Sequence, residues 1–332
     1  MIGVYVHNRG RGHLHRVAPV VRALREGHDD VTLLVTGSLD PAVLPPDLPV
    51  VHLPCERPGE ATLSARRAAV TWLDRVRPRA LWVDASPEMA LAVRMTATPL
   101  VATLTPGARS DEQHRLGCRA ADVLLAPWPA GAHPAAVAGA GRGRVSEIGG
   151  LSRFEHREPE PRPRHRRRLC RRPRVVHLNS STTVGDHRFW RAVRSRVSRA
   201  CGSDWLEVGG PDGRWLDDPW PEISSADVVV TGAGQSSVAD AACADVPLVV
   251  VPEWRPHGEH AATARALEGL PGAEVRSYGD GPSEVAEVVC RRLGGVADGE
   301  VTGIRARWRV DGAAERAADV VRGVAEATSR AG

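Results

Sequence analysis

The strongest constraint on the fold is a rhythm that repeats along the chain. A short apolar run is followed by a turn, and then by apolar residues at helical spacing. It begins with MIGVYV (1–6), a Gly-containing turn and VAPVVRALREG (17–27), and resumes with VTLLVTG (31–37). PVVHLP (49–54), ALWVDAS (80–86), PLVATLT (99–105) and DVLLAPW (122–128) bring this first series to about six strands. Pro87 suits the first turn of the helix that follows Asp84, where a missing N–H costs nothing. Strand–helix alternation of this kind predicts an α/β protein built on a doubly wound parallel sheet.

The composition then changes. Residues 155–174, EHREPEPRPRHRRRLCRRPR, hold four prolines and nine arginines with almost no apolar content, so 155–173 reads as a linker. A second series follows: RVVHLNSS (174–181), SDWLEVGG (203–210), ADVVVTGAG (226–234) and VPLVVVPEW (246–254). An amphipathic helix, GAAERAADVVRGVAEA (312–327), closes it. The expectation is two Rossmann-like halves, 1–154 and 174–305, with a cleft between them. Ligands of open α/β sheets bind beyond the carboxyl ends of the strands.

Length and composition set the outer bounds. With 332 residues, 42% of them hydrophobic and 25% charged, the chain has enough apolar residues to bury a core in each half. Aromatics are only 4%, so Ala, Val and Leu must fill most of it. All 44 basic residues are Arg, which reads as a GC-rich genome, and a net charge of +4 does not by itself imply nucleic acid. The six cysteines (Cys55, Cys118, Cys170, Cys201, Cys243 and Cys290) form no CxxC pair, the pattern of reduced thiols in a cytoplasmic protein. No apolar run approaches the ~20 residues of a membrane span, and the apolar start is too short for a secretory signal.

Two loops concentrate the chemistry. NRGRGHLHR (8–16) follows the first strand and opens a helix. Gly10, Arg11 and Gly12 form a turn suited to close approach of a ligand, and His13 at its tip is a candidate general base. The alternative for His13 is a helix-capping role. The third glycine and the acidic residue of a dinucleotide fingerprint are missing, which argues against NAD. In TGAGQSSVADAACADVPLVVVPEW (231–254), Gly232, Ala233, Gly234, Gln235, Ser236 and Ser237 lie between a strand and a helix, a phosphate-friendly helix start. Asp240, a turn further on, is placed to bond a ribose diol; the competing readings are caps at the serines and a dipole partner at Asp240.

EWRPHGEHAATA (253–264) then crowds Glu253, Arg255, His257, Glu259 and His260 before another helix. The rival for His257 and His260 is a zinc site, but the further ligands that a closed site needs are not evident. Asn179 and Ser180, at the end of the first strand of the second series, are counted with these ligand-side candidates. Asp84 ends a buried strand, where a carboxylate is costly unless used or paired. It is the second candidate base, against a role in capping the next helix. Trp128 and Trp254, near strand ends, are candidates for stacking on a sugar or base, or for ordinary packing.

GRGHLHR, IGGLSRF (148–154), ADVVVTGAGQSSVADAACADVPLVVVPEW and HGEHAATARAL together resemble a GT-B glycosyltransferase of the MurG-like branch, the UDP-N-acetylglucosamine transferase type. The resemblance spans nearly the whole chain, and the motif in the second half is its specific part. It implies an acceptor-side domain (1–154), a nucleotide-sugar donor domain (174–305) and a C-terminal helical segment (306–332) packing back on the first. It also implies Gly234 to Ser237 at the diphosphate, Asp240 where the family has Glu on the ribose, and Glu259 and His260 at the donor sugar. His13 matches a Gly-His implicated in catalysis or acceptor contacts. The sequence departs from the pattern at Asp240, one methylene shorter than Glu, at His260 where Gln is common, and at Arg9 and Arg11 in the first loop.

The expected activity is therefore inverting, metal-independent transfer of a sugar, from a UDP-linked donor first of all. The expected acceptor is a small molecule, a glycan or a lipid-linked sugar, and no cofactor or nucleic acid is involved. A nucleotide-sugar hydrolase on the same fold and a non-catalytic binding protein are the alternatives. The Arg-rich stretch 162–174 reads as solvated linker, with peripheral contact to anionic lipid as the other option.

Overall fold

Among the described residues every strand pair is parallel, so each connection must cross over the sheet, and helices cover both faces. A computed structural model describes residues 1–7, 11–55, 62–141, 144–159, 171–179, 186–210, 213–297 and 302–329, without the side chains of 11, 297, 328 and 329. Arg9, Gly10 and Ser180 thus lie outside the described residues. The chain divides into two units, Met1–Arg153 with Gly312–Gly332, and Phe154–Asp311.

The first unit holds β1 (Ile2–His7), α1 (Arg11–Glu26), β2 (Val31–Thr36), β3 (Val50–Leu53), α2 (Leu63–Val76), β4 (Ala80–Asp84) and α3 (Pro87–Arg94). β5 (Leu100–Thr103), α4 (Glu112–Ala120), β6 (Val123–Ala126), α5 (Pro134–Ala140) and β7 (Val145–Glu147) follow. Its seven-stranded sheet has the order β3-β2-β1-β4-β5-β6-β7. The second unit holds β8 (Arg174–Leu178), α6 (His187–Cys201), β9 (Asp204–Val208), α7 (Trp220–Ser224), β10 (Val228–Thr231), α8 (Gln235–Cys243) and β11 (Leu248–Val250). Then come α9 (Glu259–Leu267), β12 (Ala273–Val275), α10 (Gly281–Ala297) and α11 (Ile304–Arg307), with the sheet order β12-β11-β10-β8-β9. The chain returns to the first unit as α12 (Ala313–Ser329).

The strand runs of the sequence all reappear as strands; β4, β5, β10 and β11 are buried throughout, whereas β3 and β9 are only partly buried. β7 and β12, three residues each, were not foreseen, because VSE and AEV carry no apolar run. The segment at the linker's far end is tied into the second sheet: Arg171 Nη2 donates to Asp227 Oδ1 at 2.8 Å and the Arg174 backbone N–H to Asp227 Oδ2 at 2.8 Å. At its near end, the Arg305 guanidinium donates to the carbonyls of Glu155, Arg157 and Cys243.

α12 completes the first core. Ala313, Ala314, Ala317, Ala318, Val321 and Ala325 pack into one apolar cluster with Val17, Val20, Val21 and Leu24 of α1. Arg322 Nε donates to Asp29 Oδ2 at 2.7 Å and its Nη2 to the Ala23 carbonyl at 2.8 Å. A side chain at Gly27 would collide with that guanidinium, at 2.1 Å. No described helix is long and apolar enough to cross a membrane.

Leu24 is fully buried in this cluster, whereas Met95 is 87% exposed. Leu24→Ala is expected to cost about 2–5 kcal/mol, and Met95→Ala less than about 0.5 kcal/mol. Urea unfolding of the two variants side by side is the check.

Candidate functional site

The strand order of each sheet reverses once, between β1 and β4 in the first unit and between β8 and β10 in the second. Such reversals open a crevice at the carboxyl ends of the strands, because the flanking helices cross to opposite faces. Of the described sequence-predicted residues, Gly12, His13 and Asp84 lie at the first of these places, and Asn179 and Gly232 to Gly234, with Glu253 and His260 close by, at the second.

In the first unit, α1 is anchored by Leu14, Val17, Ala18 and Val21, all buried. That spacing puts His13 and Arg16, three residues apart, together on another side of the helix. Asp84 is the last residue of β4, in register with Val6 of β1, and has no exposed surface. Arg16 grips it with a fork, Nε to Oδ1 at 2.9 Å and Nη2 to Oδ2 at 2.9 Å. His13 Nδ1 lies 2.7 Å from Asp84 Oδ2 and 3.0 Å from Arg16 Nη2. A carboxylate oxygen at 2.7 Å cannot face a second lone pair, so Nδ1 carries the ring hydrogen and donates it to Asp84. Nε2 is then the basic nitrogen. Burial alone would raise the Asp84 carboxyl, but Arg16 and the His13 hydrogen bond hold it well below the usual carboxylate range.

His7, the last residue of β1, flanks this pair with its ring centroid 4.2 Å from that of His13. Its Nε2 donates to the Ala85 carbonyl at 3.3 Å. Burial, then the nearby His13, pushes His7 down to about 4, so it is neutral near pH 7. Ala85 sits at φ 49°, a left-handed conformation that costs an alanine roughly 1–2 kcal/mol. α3 is capped by Ser86, whose Oγ accepts from the Met89 N–H at 3.3 Å, and Pro87 occupies its first turn. Asp84 is therefore not the cap of that helix. His13 lies within the first turn of α1 rather than on a loop before it, as does Gly12.

In the second unit, β8 and β10 run side by side through Thr231 opposite Leu178, and just beyond them the chain continues as Asn179 and Gly232. Asn179 Nδ2 donates to Glu207 Oε1 at 2.9 Å. The turn Gly232–Gly234 leads into α8, whose N-cap is Gly234 with no side-chain cap. Ser236 and Ser237 fall inside the first turn of α8, so they do not cap it. Gly232 is required by close approach, since a Cβ there would lie 2.8 Å from the Glu253 side chain. Ala233 is buried at φ 69°, a second left-handed alanine at a crevice turn.

Glu253 is buried and accepts from Arg255 Nη2 at 3.3 Å. His257 is exposed in a 3₁₀ turn at φ 61°, and Glu259 and His260 are the first two residues of α9. Burial, reinforced by the Arg255 charge and opposed by a hydrogen bond to the Gly232 backbone, pushes His260 down to about 4. Its Nδ1 is buried with no hydrogen-bond partner among the described residues. Asp240 lies within α8 at 6% exposure. Of the two tryptophans, Trp128 is fully buried with its N–H on Glu147 at 3.1 Å, and Trp254 is 83% exposed beside Glu253.

Sequence reasoning passed over Arg16, His7 and Glu207. Arg16 had a readable signal, its i+3 spacing from His13. Glu207 had none, because its place beside Asn179 follows from β8–β9 pairing.

No protein-family model matches the chain, and no curated protein matches it. Solved structures do. MurG of Acinetobacter baumannii superposes with a TM-score of 0.66 over 97% of this chain and 99% of its own, at 15% identity. The spinosyn forosaminyltransferase SpnP gives 0.71 over 98% and 99%, at 12% identity. The chain has the GT-B fold. LpCGTa, solved in complex with UDP, gives 0.69 over 97% and 98%, at 16% identity. At such identities the GT-B likeness is one of fold.

Two predictions follow from the charges. Asp84→Asn leaves Arg16 buried without its counter-charge and is expected to cost about 3–5 kcal/mol near neutral pH. A depressed carboxyl contributes stability above its unfolded value near 3.9 and loses it as pH falls further. The gap between wild type and Asp84→Asn therefore narrows below about pH 4 in urea titrations. His260 works over a higher range. In the unfolded chain it takes its proton near 6.5 and in the folded chain near 4, so acidification between these values favours unfolding. In His260→Gln that part of the stability loss disappears.

Proposed function

We propose that the chain is a glycosyltransferase that moves a sugar from a nucleotide sugar, UDP-linked first among the donors, to an acceptor hydroxyl with inversion. The observation that carries this reading is the His13–Asp84 pair at the crevice of the first unit: Nδ1–H is committed to a buried carboxylate, and Nε2 is left as a base. The acceptor oxygen forms a bond to the anomeric carbon as the bond from that carbon to the diphosphate oxygen breaks. The proton of the acceptor passes to His13 Nε2, and the electron pair leaves with the nucleoside diphosphate.

On the donor side, the turn Gly232–Gly234 and the start of α8, with Gln235, Ser236 and Ser237, suit a diphosphate. Backbone N–H groups and the helix dipole offset the charge that develops there, so the proposed reaction has no requirement for metal or cofactor. Asp240 is assigned to the ribose, and Asn179, His257, Glu259 and His260 to the donor side. The unpartnered Nδ1 of His260 is an acceptor for a sugar hydroxyl. That LpCGTa was solved with UDP supports UDP as the first nucleotide to try. Small hydroxylated molecules, glycans and lipid-linked sugars are the acceptor classes.

The test is release of nucleoside diphosphate from a panel of nucleotide sugars, with and without an acceptor library. Release that depends on an acceptor, accompanied by a glycosylated product, is the expected result. Release at the same rate without acceptor would make the chain a hydrolase, and no release or binding with any nucleotide would remove the enzymatic reading. His13→Ala is expected to lower kcat by about 10²–10⁴ while leaving nucleoside diphosphate affinity unchanged. Paired turnover and calorimetric measurements decide it.

A further inference from the structure

The His13–Asp84 pair has a third member that the proposed reaction does not by itself require. Arg16 is 7% exposed and makes both arms of its fork on one carboxylate. Asp84 has no exposed surface, so its negative charge must be balanced from within the fold. Among the described side chains, the Arg16 guanidinium and the His13 ring bond it directly. If His13 balanced the charge, it would have to hold a proton at rest, and a ring already protonated is no base. Arg16 removes that demand, because a guanidinium stays charged at any pH a protein survives.

We infer that Arg16 is a positioning residue for His13: its fork fixes both Asp84 oxygens and its charge cancels theirs, so that the resting ring keeps its single hydrogen on Nδ1 and its lone pair on Nε2. The geometry supports both parts. Oδ1 is taken by Arg16 Nε, which leaves Oδ2 as the oxygen that turns toward His13. Arg16 Nη2 bonds that same Oδ2 and stands 3.0 Å from Nδ1, so the carboxylate cannot swing away from the ring without breaking the fork. An Asp–His pair alone goes from a charge of −1 at rest to 0 once the ring is protonated. The Arg–Asp–His trio goes from 0 to +1. Arg16 thus disfavours early protonation of His13.

Among the described residues, His7 and Arg109 are the other titratable groups that stand near this trio. His7, from β1, is neutral near pH 7 because it is buried. Arg109, from the segment between β5 and α4, carries the same sign of charge as Arg16; burial first, and then Arg16, pushes it down to about 10, and its Nη1 lies 2.6 Å from His114 Nε2. The part that Arg16 plays in catalysis rests on the transferase reading above. Its hold on the tautomer and charge of His13 does not.

The experiment reads the ring directly and needs no substrate. The full chain is labelled with ¹⁵N-histidine, the His13 resonances are identified by their loss in His13→Gln, and the ring is titrated by NMR in wild type, Arg16→Met and Arg16→Lys. Wild type is expected to show the Nδ1–H tautomer. In Arg16→Met the pH midpoint of His13 protonation should rise by about 1–3 units, the effect of one close charge. In Arg16→Lys the charge survives and the fork does not, so the midpoint should rise less while the Nε2–H tautomer gains population. A folded Arg16→Met with the wild-type tautomer and midpoint would overturn the inference and leave Arg16 a stabilising ion pair. Should that variant fail to fold, a wild-type tautomer in Arg16→Lys would overturn it equally. A chain that shows the expected ring behaviour but transfers no sugar would refute the proposed function and leave the inference standing.

Discussion

Parallel pairing is the constraint from which the rest of the molecule follows. Two parallel neighbours cannot be joined by a tight turn, so each connection crosses a face and carries a helix. Both faces of each sheet are thereby covered, and the inner strands become runs of buried residues, mostly Val, Leu and Ala. The strand order must reverse somewhere, and where it does the loops part. Both polar clusters lie at such reversals, because only there does a doubly wound sheet present strand ends that no crossing helix covers. Chemistry in this chain is placed by topology before it is refined by side chains.

The refinement in the first unit is a matter of charge. Burying a carboxylate at the end of β4 is costly in free energy, and three hydrogen bonds from two side chains, Arg16 and His13, converge to offset that cost. The left-handed Ala85 immediately after it shows how tightly the turn is held, since an alanine adopts that conformation only when its surroundings over-determine it. Ala233 repeats the feature beside the second cluster. In both places a turn carries backbone strain next to groups that polar ligands suit.

Much of this arrangement was legible in the sequence. Strands such as Ile2–His7 and Val228–Thr231 announce themselves, because burial on both faces leaves an uninterrupted apolar run. The Gly-rich starts of α1 and α8 were equally visible, since glycine and small polar residues between a strand and a helix have few other uses. The three-residue strands β7 and β12 were not, because their pairing is decided by neighbours far away in sequence. Asp84 and His13 were each suspected separately. Their meeting depends on β1 and β4 being adjacent, a fact of strand order that no local pattern encodes. Arg16 went unnoticed even though its i+3 spacing from His13 was readable, since a helical arginine reads as solvent-facing until its partner across the sheet is known.

The return of α12 to the first unit has a consequence for how the chain is made. The apolar face of α1 is complete only when Ala313 to Ala325 have been synthesised, after the whole second unit. At about 5–20 residues per second, the first sheet waits roughly ten to thirty seconds on the ribosome with part of its core uncovered. The second unit, contiguous from Phe154 to Asp311, has no such delay. The half that begins first is therefore finished last, and the apolar face of α1 stays uncovered until then.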